Sequence, residues 1–515
     1  MKRYLAAVER HQAAGTATGV SGRLGRRTTE FRAPSDLGVY GAGKPTATGK
    51  SVPKLDPEAE RKRKAKERRA RRYADRRTLW KITSDRACAG CGRTAMDPDA
   101  GVIVARTAEG TALALGLLKC GRIWLCPVCS AKIRQGRAEE VSKAAVAWIE
   151  LGGTVLFVTF TARHAAAHKL ADLMDAIQGT RADASKGITR KPGAYQRLIT
   201  GAAWAGDKRR KVNPEGIRGR VGFVGMIRAT EITLGDKSGW HPHIHALVFV
   251  GGRTFKGSAG IELAETFEPS TAALAELEGH FRGVWTRHLA KVDPEFTPSD
   301  EHGVVFETLA KSQSPDALAK YLAKLQEGKD PGAELARADM KNGRYGNVTP
   351  FQLLGRIGDL MGGVPEEEAD GFGTLDWGLT RWAEYEAATK GRRAIEWSRY
   401  LRPLLGLDGG DTEEDDLDFL FEQDGASGIV AGAAVTTEAW HKVTGRALDL
   451  AVTEAVEAGE LDQVAVLAVA AGAEAGAVRL LSPEEITEAW EATLAKLAER
   501  REAAAARRLI EQAGS

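Results

Sequence analysis

No run of 18 apolar residues occurs in this 515-residue chain, so no segment reads as a membrane span. The N-terminus also lacks the charged-then-apolar pattern of a secretory signal. The expectation is a soluble, cytoplasmic protein with no membrane partner. Cysteine is scarce: five residues, all between 88 and 129. That argues against a disulfide-stapled fold and, in a reducing compartment, points to metal. No fixed-period repeat is present, which excludes solenoids and propellers. The net charge is only +4, but it is segregated. Residues 61–81 hold twelve Lys or Arg against two acids, whereas 408–424 hold nine acids and no base. A basic block favours nucleic acid; an acidic one reads as a solvated linker.

The length suits two to four domains with cores of their own. Residues 1–80 read as a disordered basic arm: 1–60 have no hydrophobic period, and 57–80 has good helix formers but almost no apolar face, so it reads as a helix only when bound or as a solvated one. A cysteine-rich zinc-binding module spans 81–145 and closes with an amphipathic segment over 131–150. A catalytic domain over 146–330 opens with the β-branched strand 154–161. A helix follows over 162–178, then strands near 223–234 and 241–250 around a turn at 235–239, and helices over 271–290 and 315–327. A helical extension (331–405), an acidic linker (406–428) and an Ala-rich helical domain (429–515) complete the chain. Irregular alternation with an evident hairpin predicts an α+β fold.

Chemistry concentrates in His241-Pro242-His243-Ile244-His245, which runs into an apolar strand. A strand sends alternate side chains to opposite faces. His241, His243 and His245 therefore share one face, and Ile244, Ala246, Val248 and Val250 the other. A hairpin turning near 237 sets Glu231 opposite His243. Glu231, His243 and His245 form a candidate site of one carboxylate and two imidazoles, suited to Mg²⁺ or Mn²⁺ acting on a phosphate. Zinc would recruit a third nitrogen, which His241 could supply. A bulge would shift Glu231 out of register.

A metal that polarises a phosphate needs a nucleophile. Tyr321, in the helical pattern Leu318-Ala319-Lys320-Tyr321-Leu322-Ala323-Lys324, has Lys324 on its own face. A cation beside the phenol would favour the phenolate. Spacing alone leaves Tyr195, Tyr345, Tyr385 and Tyr400 as competitors.

Three motifs occur in fixed order: FVTFT (157–161), HPHIHALV (241–248) and YLAK (321–324). The order resembles that of the rolling-circle replication initiators of the HUH endonuclease superfamily. CGRIWLCPVC (120–129), TPFQLL (349–354) and WAEYEAATKGRRAIEWS (382–398) narrow the likeness to the initiators of actinobacterial plasmids. The resemblance covers about 85–400. It implies a ferredoxin-like antiparallel sheet flanked by helices, with a zinc-ribbon-like module and a helical C-terminal region. It implies a metal-dependent nickase in which His243 and His245 hold the ion. Tyr321 would attack origin DNA, leaving a 5′-phosphotyrosine and a 3′-OH primer, and the strand would later be rejoined. A host helicase and replication machinery are the implied partners. One branch of the family carries an acidic residue four positions before the tyrosine to end a round. Here that position is Ala317, with Asp316 one residue off and Glu307 another possibility. The rival readings are an HUH relaxase or transposase, and a non-catalytic zinc-ribbon DNA-binding regulator.

Cys88-Ala-Gly-Cys91 and Cys126-Pro-Val-Cys129 pair into a four-sulfur structural zinc site. Cys120 is left over, either a replacement ligand or a buried thiol. His164 and His168 fall four apart on the solvated face of the expected 162–178 helix. Thr159 and Thr161 share one strand face with Phe157, where bordering the site and simple packing explain them equally well. Arg61, Lys62, Arg63 and Lys64 read as phosphate contacts. Arg392 and Arg393 beside Trp397 read as a grip on single-stranded DNA.

Overall fold

The computed structural model describes residues 57–182, 187–207, 213–257, 260–310, 347–366, 373–407, 409–410, 413–424 and 428–513. In chain order the strands are β1 (Val102–Thr107), β2 (Ala112–Leu115), β3 (Thr154–Thr161), β4 (Gly225–Gly235), β5 (Gly239–Val250), β6 (Gly252–Lys256), β7 (Ile261–Thr266), β8 (Val304–Ala310), β9 (Ile395–Trp397), β10 (Ile429–Val435) and β11 (Val478–Leu481). They make a five-stranded sheet in the order β8-β3-β5-β4-β9, a four-stranded sheet in the order β11-β10-β1-β2, and the β6–β7 hairpin. Every pairing between these strands is antiparallel. Among the described residues no helix is long and apolar enough to cross a membrane.

The five-stranded sheet positions the histidines. β5 is flanked by β3 and β4 along its length, and Glu231 stands opposite His243 as the hairpin argument requires. The turn runs through Asp236–Ser238, with Gly235 opposite Gly239. Gly239 has φ +73°, and a Cβ there would lie 2.7 Å from the Cα of Ala166. Only glycine closes this turn beneath the loop that precedes the Leu170–Gln178 helix. That loop corrects the expected 162–178 helix, which begins only at Leu170, so His164 and His168 do not share a helix face.

The even-numbered face of β5 is the core. Ile244, Ala246 and Val248 are fully buried. On the same face Phe160 packs against Tyr195, Phe281 and Trp285, with ring centroids 6.4, 5.9 and 5.0 Å away. Phe281 and Trp285 belong to the Thr271–Val292 helix, whose buried Ala273, Leu277, Phe281, Trp285 and Leu289 recur every four residues. Ser270 caps that helix by accepting from the Ala273 N–H. In TPFQLL, Thr349 and Gln352 form a capping box, with Pro350 in the first turn of the Pro350–Met361 helix. β9 corrects the expectation of an unbroken helical block: Ile395–Trp397 pairs with β4. Three residues are too few for a period to register.

Three expected boundaries dissolve in the fold. The basic stretch is a helix, Pro57–Ile82, as its composition allows, but part of it packs into the protein rather than standing solvated or free as a disordered arm. Asp449, 1% exposed, accepts from Arg76 (2.8 Å) and Arg77 (2.9 Å). Arg69 pairs with Glu457 and Arg71 with Asp359. The acidic stretch holds a docked helix, Glu413–Asp424, not a solvated linker. Its Asp416 accepts from Arg137 at 2.6 Å, and Leu420 is fully buried. The C-terminal region is not all helical, because β10 pairs with β1 of the cysteine module and with β11. Charge blocks look solvated in sequence because their partners lie some 280 to 390 residues away.

Asp449→Ala leaves two guanidinium groups without their carboxylate. It should destabilise the protein by ~3–5 kcal/mol, the range for breaking a buried ion pair, seen as a lower urea midpoint. Glu457→Ala, at a half-exposed pair, should cost no more than about 1–2 kcal/mol.

Candidate functional site

On the odd-numbered face of β5 three ligand atoms converge. Glu231 Oε2 lies 3.3 Å from Nε2 of both His243 and His245. The two Nε2 atoms are 3.0 Å apart. Three lone-pair donors at this separation fit one shared cation, and a carboxylate with two imidazoles leaves coordination positions open. The side chains are about one-tenth exposed, so the site is reachable but mostly desolvated.

Neighbouring strands orient the ligands. Thr159 is opposite His245 in the β3–β5 register, and its Oγ1 lies 3.0 Å from His245 Nδ1. With Nδ1–H donating to that oxygen, the Nε2 lone pair faces Glu231. Phe157 stacks on the His245 ring at 5.4 Å. His241 stays outside the donor cluster. Its ring stacks on His164 at 4.4 Å, and burial, with His243 and His164 adding to it, pushes its pKa down to about 3. His164 Nδ1 is tied to the Ser238 carbonyl, and His168 Nε2 to Glu295. Glu307 is exposed, opposite Phe157 on β8, and so shares the ligand face by register.

The cysteines form a second cluster. Sγ of Cys91 lies 3.7 Å from Cys126 and 3.5 Å from Cys129, and Cys120 is 3.7 Å from Cys129. A tetrahedral ion with bonds near ~2.3 Å separates its sulfurs by ~3.8 Å, so these four thiols fit zinc. The four thiols that lie within ligand distance of one another are Cys91, Cys120, Cys126 and Cys129, so the geometry favours Cys120 over Cys88 as the fourth donor. Cys88 is buried in the short Arg86–Gly90 helix, against Cys120. The loop and helix start carrying Cys120 and Cys126 bring their sulfurs together in a way that spacing does not show.

Among proteins of known name, the "Protein rep" of Streptomyces lividans is 57% identical over 419 residues, covering 79% of this chain and 91% of that protein. The chain belongs to the family of that Rep protein. The "Neomycin resistance protein" of Streptomyces cyanogenus is 47% identical over 441 residues, 81% of this chain and 98% of that protein. No family model and no solved structure matches.

The remaining candidates of this Rep-family chain separate clearly. Tyr321, Lys324, Ala317, Asp316 and Tyr345 lie outside the described residues. Two rival tyrosines are buried away from the ligand face. Tyr195 packs on Phe160 and beneath Arg228, and Tyr385 donates to the Trp124 carbonyl at 2.9 Å. Burial pushes both phenols upward, which disfavours the phenolate. Tyr400 is exposed, with Arg399 over its ring.

Arg392 is a correction. It is buried, pairs with Asp175 and donates to the carbonyls of Gly179 and Ala388, both at 2.9 Å. Trp397 is also buried, with the Arg402 guanidinium 4.0 Å from its ring centre, so neither residue is open to stack on DNA. Arg393 is exposed. Arg63 and Lys64 are exposed on the basic helix and pair with Glu67 and Glu60 one turn away. Arg61 and Lys62 lie on the same helix, their side chains outside the described set.

Cys120→Ser should strip the metal from purified protein, whereas Cys88→Ser should keep it; elemental zinc and Co²⁺–thiolate absorption read the difference. Equal zinc in the two variants would refute this ligand set. Thr159→Val removes the oxygen that orients His245. It should weaken Mn²⁺ binding ~10–100-fold in a titration, the usual cost of an outer-shell partner, with an unchanged melting temperature.

Proposed function

We propose that this chain is a plasmid replication initiator that nicks one DNA strand at its origin through a tyrosine nucleophile and later rejoins it. The observation that carries the reading is the convergence of Glu231 with His243 and His245 on the open face of an antiparallel sheet. Membership of the Rep family supports replication as the setting. The ordered motifs before and after the histidines support the HUH type of chemistry, on a fold of that class. A non-catalytic zinc-ribbon regulator would leave the Glu-His-His cluster without a role. Relaxases place the tyrosine before the histidines, not after them.

Glu231, His243 and His245 would hold Mg²⁺ or Mn²⁺, which supplies Lewis-acid polarisation of the scissile phosphate when bound. Glu231 and the imidazoles would hold that ion against the sheet. Thr159 keeps His245 in the tautomer that binds. Tyr321 Oη forms a bond to phosphorus while the P–O3′ bond breaks, and the proton the phenol gives up balances the one the departing 3′-oxygen takes up. Lys324, three residues on in the sequence, favours the phenolate by its charge. Reversal of the same exchange reseals the strand, because the phosphotyrosine conserves the energy of the diester. The four-thiolate cluster is structural. Origin DNA is the substrate; the host helicase and replication machinery are the partners implied for the later steps.

A supercoiled plasmid bearing the cognate origin tests this. Nicking should require Mg²⁺ or Mn²⁺ and leave protein covalently attached to the 5′ end. Tyr321→Phe should form no adduct. His243→Ala with His245→Ala should lower the nicking rate on the order of 10³-fold or more, the equivalent of several kcal/mol of charge stabilisation. An adduct in the Tyr321→Phe protein, or full nicking by the double histidine variant, would overturn the assignment.

A further inference from the structure

Away from the ligand face, the basic helix, the Pro350–Met361 helix and the Thr437–Gly445 helix enclose an open cleft of about 670 Å³. Arg71, Arg77, Lys81 and Arg93 line it against two acids, Asp75 and Asp359. Two of the cations are already committed: Arg71 to Asp75 and Asp359, and Arg77 to Asp449. Lys81 and Arg93 differ. Both are exposed, and neither has a carboxylate partner among the described residues.

Arg93 is nonetheless held in place. Its guanidinium lies 5.3 Å from the ring centre of Trp80, and Trp80 is itself anchored by donating to the Cys91 carbonyl at 2.9 Å. Burial raises the Asp75 carboxyl to about 7, so near neutral pH it offsets only part of the positive charge. The cleft thus holds two uncompensated cations, of which Arg93 is held in place and carries a planar guanidinium suited to phosphate oxygens. It shares no residue with the Glu231–His243–His245 cluster.

We propose that this cleft is a second DNA site, which takes the sugar-phosphate backbone of single-stranded DNA with Lys81 and Arg93 as its phosphate contacts. The choice of DNA rests on the replication reading above; the cationic lining does not. Two uncompensated cations suit a single row of phosphates, and duplex is the alternative that the test below separates. The C-terminal unit acquires a role here, since His441 and Thr444 supply one wall. The site would hold a displaced or nicked strand while the ligand face works on the scissile phosphate.

The test uses the full chain carrying His243→Ala and His245→Ala without added divalent ion, so that nicking plays no part. Fluorescence anisotropy of a labelled thymidine oligonucleotide is followed across a salt series. Lys81→Glu with Arg93→Glu should weaken binding ~10-fold or more and reduce the salt slope by about 1.4, two phosphates at ~0.7 each. Lys81→Arg with Arg93→Lys should restore binding. The milder Lys81→Gln with Arg93→Gln should move the same way by less, which covers a failure of the charge-reversed protein to fold. Unchanged affinity and slope in a folded variant would overturn the proposal. So would a loss seen only with duplex, or polyglutamate displacing the oligonucleotide at matched charge. The replication reading fails separately, if the unaltered protein does not nick its origin.

Discussion

The pleat of β5 is the constraint on which the rest depends. Its two faces are occupied by incompatible chemistries: Ile244, Ala246 and Val248 in a dry core, His243 and His245 against Glu231. A register slip of one residue would exchange them, turning the imidazoles into the core and Ile244 toward Glu231. Pairing to β3 and β4 along its length forbids the slip. The same hydrogen bonds that hold the sheet therefore bring Thr159 to His245 and Glu231 to His243. Core stability and ligand geometry are one constraint.

The cysteine cluster is a junction rather than an appendage. Trp80 of the basic helix donates to the Cys91 carbonyl, and Trp440 of the C-terminal unit donates to the Gly92 carbonyl. Trp124, between Cys120 and Cys126, donates to the Arg392 carbonyl at 2.7 Å and accepts from Tyr385 through its own carbonyl. Tyr385 in turn stacks on Trp240, the residue before His241. Glu386 accepts from the backbone of Ser84 and Asp85, ahead of the Cys88 helix. A bound ion at the four thiols would brace contacts that reach the ligand strand itself.

Much of the local structure was legible in order and spacing. β3 appears at its expected residues, and the hairpin places Glu231 as parity and turn position required. These follow from interactions between near neighbours, where period and turn chemistry suffice. Thr159 was visible only as a residue on the right face; its bond to His245 needs the β3–β5 register, across 86 residues. Arg392 looked like a DNA contact because a surface arginine and a buried one have the same local sequence. Only Asp175 and the carbonyl of Gly179, more than 200 residues earlier, distinguish them.

By itself the sequence determined the alternation of the histidine strand, its hairpin with Glu231 and the confinement of cysteine to one module. Each depends on residues within a few turns of one another. The tertiary structure alone decided which four thiols meet and that the acidic stretch docks on Arg137. It also decided that β10 completes the sheet begun by β1, and that the basic helix is part packing element and part cleft wall. Those outcomes depend on charges and sulfurs brought together from distant parts of the chain, and no local period encodes such partners.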